Sequence, residues 1–452
     1  MRPALVALLF LAGAPAAQAA SFVGSFRLPA SAEPVQVSLA LSAGRATVAL
    51  GPGHAGRTVV HTTSNGTRVR FVVPGGIAFD GRLRGGRLAG TVTQGRLRGT
   101  FALAPGRAAA LDALGLYRSA SGDAVAIVQA QGLPTWLVEL PSGDVHGLSP
   151  GLTTAGRRLG ETSGDGSIAV TSTAIAWHGI RYVRVALRQR EIRIGALAAT
   201  LTLPPGRGPF AAVVMTHGSG PQARDEFQVF AAYCELLGIA VLADDKRGVG
   251  QSGGAYPGER ATPHALDVLA RDADAEVRYL RALPEIDRAR VGLVGDSQAS
   301  WVIALAAARD AAIRFAIPLA GPTVSVDQTD LWGALAGRGE TQPSGSRASL
   351  VAQVRANGPG GFDPGASLAR LHIPVHWVFA DDDRNVPTEL CIERLEQFRS
   401  GHDFTWTVVH ATHTLFELDG GLNSAIPRSR GFARDLFPSM GAFLRRIGAA
   451  PG

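Results

Sequence analysis

Residues 291–300 read VGLVGDSQAS, with Ser297 standing where an apolar run gives way to helical texture. Gly295 lies two places before it and Ala299 two places after. A serine hydroxyl is a weak nucleophile near neutral pH, so a chain that uses one must expose it and supply a base. A sharp strand-to-helix turn flanked by small residues does the first, lifting Oγ over the end of a sheet without a Cβ clash. The helix that follows aims its N–H groups and the positive end of its dipole at the same place, where negative charge would collect on a tetrahedral intermediate. The chemistry within reach is acyl transfer to Ser297.

GDSQA after a strand resembles the GxSxG elbow of the α/β-hydrolase superfamily, with Ala299 in place of the second glycine and a more crowded turn as its cost. The resemblance covers about 195–448. It includes HGSGPQARDE at 217–226 and ADDKRGVGQSGG at 243–254, which are similar to segments of secreted bacterial carboxylesterases that pair HGSGPxxRDE with DKRGxGxS.

That resemblance implies an α/β class fold, a mostly parallel sheet with helices on both faces. It implies an oxyanion hole built from the backbone N–H groups of Ser219 and Gln298, with glycines beside Ser219 letting a substrate carbonyl come close. It places the orienting acid in ADDDRNVP at Asp383, with Asp381 and Asp382 as neighbouring carboxylates of the same run, and the general base in HATHTLF at His413, with His410 ending the strand. His217 reads as a structural residue of its loop, and Asp245 and Arg247 as a structural ion pair beside the oxyanion hole. Nucleophile, acid and base then follow the chain order Ser, Asp, His that distinguishes these enzymes from other serine hydrolases. His410 with His413, and His372 with His376, also have spacings that metal ligands use, but neither pair has a convincing third ligand nearby, so no metal and no organic cofactor is expected.

The elements that must position these residues are legible from Phe210 onward as strand, loop and helix in repetition. Strands are expected at Ala211–Met215, Ile239–Asp244, Val291–Val294, Ala316–Leu319, Val375–Phe379 and Thr405–Val409. Helices are expected at Gln228–Leu237, Pro263–Ala282, Gln298–Arg309, Pro387–Arg399 and Arg430–Ile447. Thr262 before Pro263 suits an N-cap followed by proline in the first turn. A small cap is expected at about 321–370, with Trp301, Leu331 and Trp332 as candidate pocket walls, though Trp301 belongs by its helix to the core.

Ahead of this region the texture is β. Asn65-Gly66 signals a hairpin, and GRLRGGRLAGTVTQGRLRGTFAL, in which GRLRG occurs at 81–85 and 95–99, reads as a meander of strands of about five residues. The expected division is a signal peptide at 1–20, a β-rich domain at 21–110, a second β-rich accessory segment at 111–190 and the catalytic domain at 191–452. MRPALVALLFLAGAPAAQAA has an early cation, an apolar stretch and the small-x-small ending Ala17-Gln18-Ala19, so secretion or a periplasmic location is expected.

Of 452 residues, 46% are hydrophobic and 18% charged, and no internal run is long and apolar enough to span a membrane. The net charge is +7, yet Lys246 is the sole lysine among 44 basic residues, and the arginines are scattered along the chain without interleaved aromatics, so no nucleic-acid partner is expected. Cys234 and Cys391 read as buried thiols.

The expectation is a serine hydrolase acting on small-molecule carboxylic esters through an acyl-enzyme. Aminopeptidase, amidase or thioesterase activity on the same three residues is the alternative, and a secreted binding protein with a vestigial hydrolase domain is the alternative of another class. The N-terminal β region suits a shield for the cleft or a tether for a polymer. Oligomeric state has no signature in the sequence.

Overall fold

The computed structural model describes residues 20–27, 35–42, 45–50, 58–65, 67–73, 77–94, 97–105, 114–128, 135–153, 156–161, 167–171, 173–339, 341–417 and 431–451. All of the segment read as a secretion signal except Ala20 lies outside them, as do Arg430 and the first two residues of the second GRLRG. The chain divides into two compact units, 1–111 and 112–452.

The first unit is a nine-stranded antiparallel sheet whose first strand, Ala20–Arg27, pairs with both Val35–Ser42 and Leu97–Pro105. Its core centres on Phe79, which stacks on Phe71 at 4.7 Å between ring centroids and meets Phe26 and Phe101 edge-on. The hairpin signalled by Asn65-Gly66 is present, with Asn65 as the last paired residue opposite Arg68. The glycine-rich meander is also present, but its strands Ile77–Arg84, Arg87–Gln94 and Leu97–Pro105 hold eight or nine residues rather than about five. Gly81 and Gly90 lie within strands, opposite each other, where a Cβ would meet neighbouring backbone or side chains. These glycines permit close approach; they do not end the strands.

In the second unit, residues 115–184 close into an eight-stranded antiparallel barrel, its first strand Gly115–Ser119 pairing with its last, Ile180–Arg184. Beyond it an eight-stranded sheet is formed by β1 (Arg188–Ile194), β2 (Leu197–Leu203), β3 (Phe210–Thr216), β4 (Ala240–Asp244), β5 (Ile286–Asp296), β6 (Ala316–Leu319), β7 (Val375–Ala380) and β8 (Phe404–Val409). The order is β1-β2-β4-β3-β5-β6-β7-β8; β1-β2 and β2-β4 are antiparallel, and the other five pairings are parallel.

Helices are α1 (Gln228–Leu236), α2 (Pro263–Ala282), α3 (Ala299–Arg309), α4 (Val326–Ala336), α5 (Arg347–Asn357), α6 (Gly365–Leu368), α7 (Thr388–Glu396) and α8 (Leu436–Arg446). The Thr262 hydroxyl caps α2 by accepting the Ala265 N–H at 3.1 Å. The segment expected as a cap carries α4, α5 and α6.

β3 alternates between two cores. Ala212 and Val214 belong to the core shared with α2 and α3, whereas Ala211, Val213 and Met215 belong to the core shared with α1, α8 and barrel residues including Leu116, Ala126 and Val138. The barrel therefore completes the second face of the sheet. Among the described residues no helix is long and apolar enough to cross a membrane, and Cys234 and Cys391 are buried free thiols.

Candidate active site

β5 ends at Asp296, and the chain turns into α3 through Ser297, whose φ of +51° is unusual for a residue with a Cβ. The Ser297 N–H donates to the Leu319 carbonyl at 2.8 Å, fixing the turn to the end of β6. A Cβ on Gly295 would run into the Thr216 carbonyl oxygen and the Ala299 Cβ. Glycine at 295 thus makes room for the alanine that departs from the elbow pattern.

Residues far apart in sequence meet at this turn. His413 Nε2 lies 3.1 Å from Ser297 Oγ, and His413 Nδ1 lies 2.8 Å from Asp383 Oδ2. Asp383 is fully buried, its Oδ1 accepting the N–H groups of Asn385 and Val386 at 2.8 Å each. Burial alone would lower the His413 pKa, but the charge and hydrogen bond of Asp383, aided by Asp296, outweigh it and raise the group above its ordinary value.

The three carboxylates of the acid loop have separate partners. Asp381 holds His410 at 2.7 Å and the Ala411 N–H at 3.0 Å, Asp382 sits by Arg384 at 3.4 Å, and Asp383 alone reaches His413. His410 and His413 thus bind different carboxylates. His376 bonds Thr405, and His372 stacks on His402.

Gln298 is buried and Ser219 exposed, and among the described residues neither backbone N–H is taken by an acceptor. His217 Nε2 lies 2.9 Å from both the carbonyl and the carboxylate of Asp244. Asp245 and Arg247 do not pair with each other. Asp245 holds Arg224 at 3.0 Å and the Gln251 N–H at 2.7 Å, while Arg247 pairs with Asp272 on α2; following the chain into loop 245–254 sends the two side chains to different elements. Trp301 and Trp332 are buried in the core, with their indole N–H groups on the carbonyls of Val324 and Asp383. Leu331 packs against the same core.

Lys246 is the residue that sequence reasoning passed over. Its side chain is buried, and its Nζ donates to the carbonyls of Gly218 at 2.7 Å and Gly220 at 3.0 Å and, at 3.4 Å, to Gln298 Oε1. One ammonium thus ties the loop carrying Ser219 to the residue that opens α3. Burial pushes its pKa down to about 8 against the pull of Asp296 and Asp244. Burial also raises the carboxyl of Asp296, and raises Glu276 well above its usual range beside Asp244 and Asp272. Beneath lies a cavity of about 20 Å³, room for one water molecule, where Asp244, Lys246, Asp272 and Glu276 meet apolar side chains such as Leu269 and Val302. Ser297, Asp383 and His413 are not among its walls. The signal available in the sequence was the lone lysine of the chain, placed inside a long motif match.

Residues 207–343 match the family model described as serine aminopeptidase, S33. Esterase EstD of Thermotoga maritima is 32% identical over 113 residues, 23% of this chain and 26% of that protein. Acyl-coenzyme A thioesterase 5 of Mus musculus is 29% identical over 157 residues, 34% of each chain. The chain spans about a quarter to a third of the length of these curated relatives. Among solved structures, the Pyrococcus furiosus esterase Pf2001 aligns at 19% identity with a TM-score of 0.42, covering 58% of this chain and 91% of that one. The family match spans β3, the HGSG loop and the Ser297 turn, and it supports a hydrolase of the α/β-hydrolase superfamily in the C-terminal part of the chain.

The tightness of the elbow can be tested directly. Gly295→Ala is expected to cost about 1–3 kcal/mol by overpacking, read as a lower urea midpoint for the second unit. Adding Ala299→Gly is expected to leave most of that loss in place, because the backbone carbonyl of Thr216 remains in the way.

Proposed function

We propose that the second unit is a serine hydrolase that cleaves small-molecule carboxylic esters through an acyl-enzyme on Ser297. The observation that supports this most is the continuous hydrogen-bonded chain from Ser297 Oγ through the His413 imidazole to buried Asp383. His413 Nε2 accepts the hydroxyl proton as Oγ attacks the carbonyl carbon, and Asp383 stabilises the imidazolium that forms. The oxyanion of the tetrahedral intermediate is received by the Ser219 and Gln298 N–H groups. Collapse breaks the bond to the alkoxy group, which leaves as alcohol with the proton held on His413. Water, deprotonated by the same imidazole, then attacks the acyl-enzyme and releases the acid.

Lys246 positions the oxyanion donors by holding the Gly218 and Gly220 carbonyls and the Gln298 side chain on one cation. Esters are preferred over amides because two of the matched relatives are named esterase and thioesterase. Export rests on the first twenty residues and belongs to this proposal.

The direct test is turnover of nitrophenyl esters of increasing chain length against aminoacyl nitroanilides. Esters are expected to turn over, with Ser297→Ala lowering kcat by about 10⁵-fold or more; turnover of the anilides alone would overturn the ester assignment.

The base must be neutral to accept a proton, so activity is expected to fall as pH drops through the His413 pKa, on a limb above the ordinary value of 6.5. Asp383→Asn is expected to lower kcat by about 10⁴-fold and move that limb to lower pH, because the main group raising the pKa is gone. An unmoved limb in the pH–rate profile would count against the assignment of acid and base.

Lys246→Met is expected to lower kcat by about 10²–10³-fold, the scale of losing an oxyanion donor, with KM little changed. Affinity for a trifluoromethyl ketone that mimics the intermediate should fall in parallel. An unchanged kcat with Ser297→Ala inactive would remove the role of Lys246 and leave the serine mechanism standing.

A further inference from the structure

The first copy of the repeated GRLRG finds its explanation in the N-terminal sheet. Strand alternation turns Gly81 and Leu83 toward the core and Arg82 and Arg84 to solvent. Neighbouring strands keep the same parity: Val69, Phe71, Leu88 and Val92 are buried, so Arg68, Arg70 and Arg87 lie on the outer face with them. Pairing then sets Arg68 opposite Arg82, and Arg84 opposite Arg87. Arginines scattered along the chain are gathered by the register into one patch.

Asp80 is the carboxylate within this patch, bonded to Arg68 at 2.6 Å and Arg70 at 2.9 Å. Among the described residues no carboxylate pairs with Arg82, Arg84 or Arg87. Like charges directly across an antiparallel pair destabilise it, a cost that a bound anion would offset. Adjacent strands lie about 4.8 Å apart and alternate residues along a strand about 6.7 Å apart, so a polymer with regularly repeated anionic groups can meet several guanidinium forks at once. The outward residues that continue this face across the next two strands are Ala89, Thr91 and Thr93, then Arg98, Thr100, Ala102 and Ala104. With no aromatic side chain among them there is no platform on which nucleobases would stack.

We propose that the outer face of the N-terminal sheet binds a polyanionic polysaccharide, its carboxylate or sulfate groups held by Arg82, Arg84 and Arg87 together with Arg68 and Arg70. This binding is independent of the chemistry assigned to Ser297.

The test uses the full chain with heparin and polygalacturonate as sulfated and carboxylated probes, and dextran, a twenty-nucleotide oligothymidine and anionic phospholipid vesicles as comparators. Both acidic polysaccharides are expected to bind with affinity that falls steeply as salt rises, and dextran is expected not to bind. The triple variant Arg82→Ser, Arg84→Ser, Arg87→Ser is expected to lose at least about tenfold in affinity and to flatten the salt dependence, since fewer counterions are released, while small-ester turnover stays unchanged. Arg84→Glu serves as a second variant. It places a carboxylate opposite Arg87, which favours the strand pair, and it should weaken binding without loss of fold. Wild-type affinity in either folded variant, or tighter binding of the oligonucleotide or the vesicles than of both polysaccharides, would overturn the proposal.

Discussion

The backbone at Ser297 is the constraint on which the candidate site depends. A positive φ at a residue with a Cβ costs roughly 1–3 kcal/mol and persists only where surrounding structure over-determines it. Here the determinants are the Leu319 carbonyl that takes the Ser297 N–H, the missing Cβ at Gly295, and the close approach of Gly321 to Ser300. All three belong to the C-terminal ends of β5 and β6 and the first turn of α3. Strain at one residue is thus held by the packing of a sheet.

The barrel contributes to the same end from the other side. Phe432 donates its N–H to the Gly143 carbonyl, stacks on Phe416 at 4.3 Å and meets Phe437 edge-on, while Trp136 of the barrel packs edge-on to Phe416. The neighbouring Ala433 N–H donates to the Leu415 carbonyl, two residues beyond His413. The segment carrying the imidazole is therefore braced by a region that the sequence presents as an accessory. Packing contiguity of this kind explains why 112–452 forms one compact unit.

Electrostatics under the HGSG loop follow from one buried cation. Lys246 sits among Asp244, Asp272, Glu276 and Asp296, with Arg247 committed to Asp272. Removing this many charges from water is costly, and the raised pKa values of Asp296 and Glu276 are the response to it. The ammonium gains three oxygen acceptors in return, two of them carbonyls of the loop that carries Ser219. A lysine suits this position because a compact head on a long stem can reach carbonyls facing different ways.

What the sequence determined by itself was local. The small-residue spacing around Ser297, the apolar strands, the Thr262 cap and the Ser, Asp, His order all rest on contacts within a few residues or on motif order, and α2 begins and ends where its pattern says. Tertiary structure decided what depends on register and burial. Asp381, Asp382 and Asp383 are equivalent as letters, and only the meeting of the β7 and β8 loops gives the first to His410 and the third to His413. Lys246 has carbonyl partners 26 and 28 residues away, which no spacing rule encodes. The arginines of GRLRG become a patch only when strand pairing sets them opposite others. Side-chain periodicity is a property of the local backbone, whereas the partner across a sheet or beneath a loop is chosen by the collapse of the whole chain.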